Sequence, residues 1–98
     1  MSTPQRAILQ ALAAEFAELD LQASIEHPEC LHALDPLGRR LVIGYANGPL
    51  AVDVYPSEDS YQQGDPPAES DVVQGDNARV QVNHCLCIAA RVPLTKER

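Results

Sequence analysis

Four side chains with metal-binding chemistry stand in two pairs, Cys30-x-His32 and Cys85-x-Cys87. Three thiolates and an imidazole make the Cys₃His donor set that a tetrahedral zinc ion takes. In extended segments, the spacing of two puts both members of a pair on one face of a strand. The pairs converge if the last strand lies beside the one holding Cys30. They stay apart if it lies beside Leu50–Tyr55. Neither pair has the two-residue knuckle spacing of structural zinc sites, and free cysteines commonly serve as small buried hydrophobes. The expectation is therefore no cofactor, with a zinc-stabilised regulatory domain as the alternative. His27 and Glu29 are close enough in sequence to extend such a site, although His27 beside Pro28 reads as a surface residue.

Nucleophilic chemistry finds less support. Cys85 follows His84 directly, and neighbours on a strand point to opposite faces, so the two cannot act as nucleophile and base. On that strand His84 falls among the core-facing residues, as a neutral, hydrogen-bonded histidine. The nucleophile elbow, the phosphate loop, the dinucleotide glycines and the zinc-protease helix are all missing. No catalytic residues are assigned, and a small enzyme is the weakest of the readings.

Carboxylates are the most concentrated chemistry in the chain. The 98 residues carry 14 acids and seven Lys or Arg, a formal charge of −7. Glu58, Asp59, Asp65, Glu69, Asp71 and Asp76 fall between Pro56 and Ala78, where no Lys or Arg occurs. Nucleic acid binding needs clustered cations, so no direct nucleic-acid partner is expected. A basic protein surface is a possible target for the six acids; the alternative is a solvated loop that touches nothing. No apolar run is long enough to span a membrane. Three cysteines without an export signal point to free thiols and the cytoplasm.

These groups must be positioned by one small domain. Ser2 or Thr3 caps a helix over about 4–19, with Pro4 in its first turn and Ile8, Leu9, Leu12, Phe16 and Leu19 along one stripe. Beyond Asp20 the period becomes two. Strands are expected at about 21–26, 29–34, 39–45, 50–55 and 79–92, with a break or bulge at His27-Pro28. Asp35-Pro36-Leu37-Gly38 suits a type I turn closed by a glycine bulge, and Asn47-Gly48 marks the next hairpin. Both turns set the same register: Leu31 opposite Ile43, Ala33 opposite Leu41, then Ile43 opposite Val52 and Leu41 opposite Val54. The predicted fold is α+β, an N-terminal amphipathic helix on one face of a four- or five-stranded antiparallel sheet. Residues 56–78 form an acidic, Pro- and Gly-rich loop, with a short strand at Val72-Val73.

One helix covers one face of a sheet. The second face is then expected to present Cys30, His32, Leu34, Arg40, Val42, Gly44, Ala51, Asp53, Tyr55, Gln81, Asn83, Cys85, Cys87, Ala89 and Arg91. Its small, centrally apolar character suits a partner or homodimer interface, with Arg40, Asp53, Tyr55 and Arg91 as binding residues. The competing expectation is that the acidic loop folds back over it. In outline, a small acidic chain with a helix and then three strands resembles the type III secretion chaperones. Those are longer and end in an amphipathic helix, which a terminal strand does not supply. In size and acidity the chain is also similar to phage-encoded inhibitors of bacterial defence systems. The functional expectation is a non-enzymatic adaptor or inhibitor that occupies a larger protein's surface.

Overall fold

The computed structural model describes residues 4–26, 30–45 and 48–92. Helix α1 (Pro4–Glu18) leads into strands β1 (Gln22–Glu26), β2 (Cys30–Leu34), β3 (Arg40–Gly44) and β4 (Ala51–Tyr55). A one-turn helix α2 (Glu58–Gln62), strand β5 (Glu69–Val72) and helix α3 (Ala78–Ala90) complete the order. The five strands form one antiparallel meander in the order β1-β2-β3-β4-β5. The N-terminal cap at Ser2 or Thr3 and the break at His27-Pro28 lie outside the described residues.

Local chemistry explains where the chain turns. At the end of α1, Asp20 adopts φ 65°, the Leu21 N–H donates to the Phe16 carbonyl, and the Asp20 N–H donates to Ala17. This is a Schellman closure, with Leu21 and Phe16 both buried beneath it. Between β2 and β3, the Gly38 N–H donates to the Asp35 carbonyl and the Asp35 N–H to Arg39, while Gly38 takes φ 97°. That is the type I turn and glycine bulge expected from Asp35-Pro36-Leu37-Gly38. The register follows: Leu31 lies opposite Ile43, Ala33 opposite Leu41, Ile43 opposite Val52 and Leu41 opposite Val54.

Two expectations need correction. Residues 79–92 are not a strand: Ala78–Ala90 is helix α3, capped by Asn77, whose side chain accepts from the Val80 N–H at 3.0 Å. Its buried residues Val82, Cys85, Ile88 and Ala89, with Val92 beyond, recur at helical spacing. The two-residue alternation of Val80, Val82, Leu86, Ile88 and Val92 fits less well, since it also buries His84 and leaves Val80 at 45% exposure unexplained. The last described element is therefore a helix and not a strand. The acidic segment is also not an unstructured loop, because it contains α2 and β5.

The core is a single aliphatic layer between the sheet and the two long helices. Leu9, Leu12 and Phe16 of α1 and Val82, Cys85 and Ile88 of α3 are buried with Leu31, Leu41, Ile43, Val52 and Val54 of the sheet. Both long helices thus cover the same face. Among the described residues no helix is long and apolar enough to cross a membrane.

Candidate functional site

With α1 and α3 on one side, strand register places the opposite face in three rows. Glu26, Cys30, Gly44, Ala51 and Val72 form the first row across the sheet. Ser24, His32, Val42, Asp53 and Ser70 form the second, and Gln22, Leu34, Arg40 and Tyr55 the third. The first row is floored by small side chains. Helix α2 lies over Arg40 and Tyr55 of the third row and His32 of the second.

Helix α2 forms because Ser57 caps it, accepting from the Ser60 N–H at 3.1 Å, with Glu58 and Asp59 in its first turn. It delivers two side chains to the sheet. Glu58 Oε1 accepts from Arg40 Nη1 at 2.7 Å, and the Tyr61 ring lies 4.3 Å from the Arg40 guanidinium carbon. The Tyr61 ring also meets Tyr55 and His32 edge-on, with centroids 5.2 and 5.7 Å apart. Arg40 Nη2 donates to His32 Nδ1 at 2.8 Å. A guanidinium can only donate, so Nδ1 carries the lone pair and the imidazole is neutral. Arg40 Nε is a buried donor with no partner among the described residues. Burial first, and Arg40 second, push the His32 pKa down, against opposing effects of Glu26 and Glu58. The Gln62 amide and then Arg40 hold the Glu58 carboxyl below the usual carboxylate range.

The four proposed zinc ligands do not converge. Cys30 and His32 lie on the second face, whereas Cys85 and Cys87 belong to α3 on the opposite side of the sheet. Among the described residues no group of three or more His, Cys, Asp or Glu side chains could hold a metal ion. The zinc reading rested on residues 79–92 being extended, and it falls with that strand. Cys85 is fully buried in the core, where desolvation pushes its thiol up to about 12, while Cys87 is exposed. Burial, then Asp53 and Glu26, raise the Cys30 thiol as well. Alkylation of the folded protein should therefore modify Cys87 first, Cys30 more slowly and Cys85 only after denaturation. Peptide mass mapping over time checks this order. Native labelling of Cys85 at the rate of Cys87 would contradict the packing of α3.

His84 also moves. It is half-buried on α3 rather than in the core, and its Nδ1 accepts from the Gln74 N–H at 2.9 Å. His27 and Glu29 lie outside the described residues.

Of the expected binding residues, Arg40, Asp53 and Tyr55 occupy the second face. Arg91 does not. It follows α3 and donates to Glu69 at 3.1 Å and Asp71 at 3.2 Å, carboxylates that β5 carries on the helix side of the sheet. The acidic segment is correspondingly less free than its composition implied. Glu58 holds Arg40, Asp65 accepts from Ser60, and Glu69 and Asp71 share Arg91. The Val72 backbone N–H and then Arg91 keep Asp71 below its ordinary pKa. Asp59 and Asp76 remain exposed, and their side chains make no bond to a described residue. The segment does fold back over the second face, but only through α2 and only at one end.

Tyr61 is the contact residue that sequence reasoning missed. Ser57 followed by two acids is an N-terminal helix signature that would have placed it on a helix. A cleft of about 340 Å³ also lies between α1 and α3, lined by Glu15, Glu18, Leu19, Arg79, Val82 and Asn83. Arg79 spans it toward Glu15 at 3.7 Å. No family model matches the chain, and neither a curated protein nor a solved structure does.

Proposed function

We propose that this chain is a non-enzymatic protein-binding module, an adaptor or inhibitor that occupies a larger protein's surface through the second face of its sheet. One observation carries the reading: both long helices lie on one side, leaving the Cys30–Gly44–Ala51–Val72 row without a described helix over it. A row of small side chains beside Val42 lets another backbone or helix approach closely, and partly apolar surface of this kind favours association. The open rows carry Glu26 and Asp53, while Arg40, the cation of this face among the described residues, is engaged by Glu58. That charge favours a partner with a basic rim and disfavours nucleic acid. A second copy of the chain, seated face to face, is the simplest competing occupant.

Helix α3 favours a second, related reading. A sheet covered on one side by two helices is an outline that type III secretion chaperones also have, and a protein-binding role of that kind agrees with the open second face.

The test is Val42→Arg, which places a charge in the middle row without touching the helix-side core. Its circular dichroism and melting temperature should match the wild type. Proteins captured from a lysate of the source organism, or the homodimer on sizing, should be lost with the variant. A monomeric wild type whose captured partners all survive Val42→Arg would place the interface elsewhere.

A further inference from the structure

We propose that the open edge of β1 pairs antiparallel with the same edge of a second copy, joining two five-stranded sheets into one. The direction of the backbone groups follows from the β2–β3 turn. The Asp35 N–H donates to Arg39, so Ala33 and Leu31 likewise turn their backbone groups toward β3, while Leu34, His32 and Cys30 turn theirs toward β1. Their partners Gln22, Ser24 and Glu26 turn back to meet them, which leaves the N–H and C=O groups of Ala23 and Ile25 pointing out of the sheet. Neither N–H has an acceptor among the described residues. The same alternation, carried across β3 and β4, turns Leu50 and Val54 toward β5, and there the Val73 and Ala68 N–H groups do donate to them.

The two edges of the sheet are built differently. On β5 the outward N–H of Val72 is already taken by the Asp71 carboxylate at 2.8 Å, and Glu69 and Asp71 place charge along a strand of four residues. Short, charged strands are how a sheet keeps an edge from pairing. Strand β1 carries one charged residue, Glu26, and no such guard. The β5 carboxylates stand four strand spacings away, roughly 19 Å, well past the screening length of about 8 Å at physiological salt. The acidity of the chain therefore does not bar approach along β1.

A second copy is the occupant that the strand's own sequence fits, because Gln22-Ala23-Ser24-Ile25-Glu26 is complementary to its reverse. With Ser24 opposite Ser24 of the second copy, Ala23 meets Ile25, and the two exchange both of their outward backbone bonds. Their half-buried side chains pair small against large on the helix side, and on the other side the Gln22 amide stands opposite the Glu26 carboxylate. No like charges are opposed. A register centred on Ala23 would set Glu26 against Asp20, and one centred on Ile25 runs past Glu26, where β1 ends. The two-fold axis stands perpendicular to the sheet, so both pairs of long helices lie on one side and both open faces on the other. The row that ends in Glu26 of one copy continues into the row that begins at Gln22 of the other. The pairing leaves that face free and does not depend on what binds there.

Sedimentation equilibrium of the full chain tests it. The wild type should dimerise reversibly as concentration rises, and weakly, because one strand pair is a small interface. Ala23→Pro deletes an outward N–H that the fold does not use and puts a ring into the seam. Its association should fall at least about tenfold with an unchanged circular dichroism spectrum. Ser24 is exposed and tests the register without touching the backbone. Ser24→Lys and Ser24→Asp should each weaken association by about fivefold, since each sets like charges face to face, and their equimolar mixture should recover it. Val42→Arg should dimerise as the wild type does, whereas a face-to-face dimer would be lost. A wild type that stays monomeric at about 1 mM would overturn the proposal. So would a dimer indifferent to folded Ala23→Pro or to both Ser24 variants, a mixture that fails to recover it, or a dimer that Val42→Arg abolishes.

Discussion

Asp35→Ala should lower the free energy of unfolding by about 2–4 kcal/mol, a large share of a small domain's stability. Asp35 is the one buried charged residue among those described, at 8% exposure. Its Oδ1 accepts from the Leu37 N–H at 2.7 Å and the Arg39 N–H at 3.2 Å, and its Oδ2 accepts from Arg39 Nη1 at 2.8 Å. The Arg39 Nε donates in turn to the Val92 carbonyl at 2.9 Å, so one carboxylate organises the β2–β3 turn and ties it to the end of α3. Alanine strands two turn amides and leaves Arg39 with half its partners. The figure sits below the full cost of breaking a buried pair because Pro36, Leu37 and Gly38 are exposed and let water in. Asp35→Asn keeps an acceptor for the turn and loses only the ion pair, so it should cost about 1–2 kcal/mol. Urea unfolding monitored by far-ultraviolet circular dichroism checks both, with an unchanged m-value. A loss under about 0.5 kcal/mol for Asp35→Ala would mean that the network is ornamental.

That network also shows where the fold was legible. Asp35-Pro36-Leu37-Gly38 names its own turn, because proline, glycine and an Asx acceptor each allow few backbone conformations. Once the turn is known, alternation sets the register, and a one-residue slip would turn Leu31, Ala33, Leu41 and Ile43 out to solvent. The end of the chain offered no such punctuation. Val80, Val82, Leu86, Ile88 and Val92 read as alternation, whereas the helical stripe Val82, Cys85, Ile88, Ala89 and Val92 uses Cys and Ala, which weigh little in a pattern of large hydrophobics. Asn77 as a cap was the available signal. A strand of about 14 residues would also have been more than twice the usual length.

The candidate site was legible in part for the same reason. Cys30, His32, Arg40, Val42, Asp53 and Tyr55 share a face because β2, β3 and β4 were placed correctly. Arg91, Cys85 and Cys87 left that face with the misread helix. What covers Arg40 could not be reached from periodicity. Helix α2 is a single turn, too short to show a period, and its seat depends on tertiary contacts from Glu58 to Arg40 and from Tyr61 to His32 on other strands. The acidic stretch therefore read as a solvated charge run, although four of its six carboxylates have fixed partners. Neutralising all six would break structural ion pairs as well as any long-range steering. Asp59 and Asp76 are the two whose removal reports on steering alone.

The two faces of the sheet should answer substitution in opposite ways, and Phe16→Ala sets the scale. Phe16 is fully buried and is the only phenylalanine in the chain. It lies in the layer where α1, α3 and the sheet meet, and its carbonyl accepts from both Leu19 and Leu21 as α1 closes. Alanine keeps the helix and those backbone bonds but removes the ring. The loss should be about 3–5 kcal/mol, the transfer energy of the ring plus the cavity it leaves. A domain of this size holds roughly 5–15 kcal/mol, so the variant should melt far lower and populate unfolded chain near body temperature. Phe16→Leu fills most of the same space and should cost about 1–2 kcal/mol. Ile8, on the same helix but 37% exposed, should lose no more than about 1 kcal/mol as Ile8→Ala. Denaturant titrations of the three variants give the order directly. Phe16→Ala within about 1 kcal/mol of wild type would mean that α1 is not the cover of this core, and that the sheet's two faces had been assigned the wrong way round.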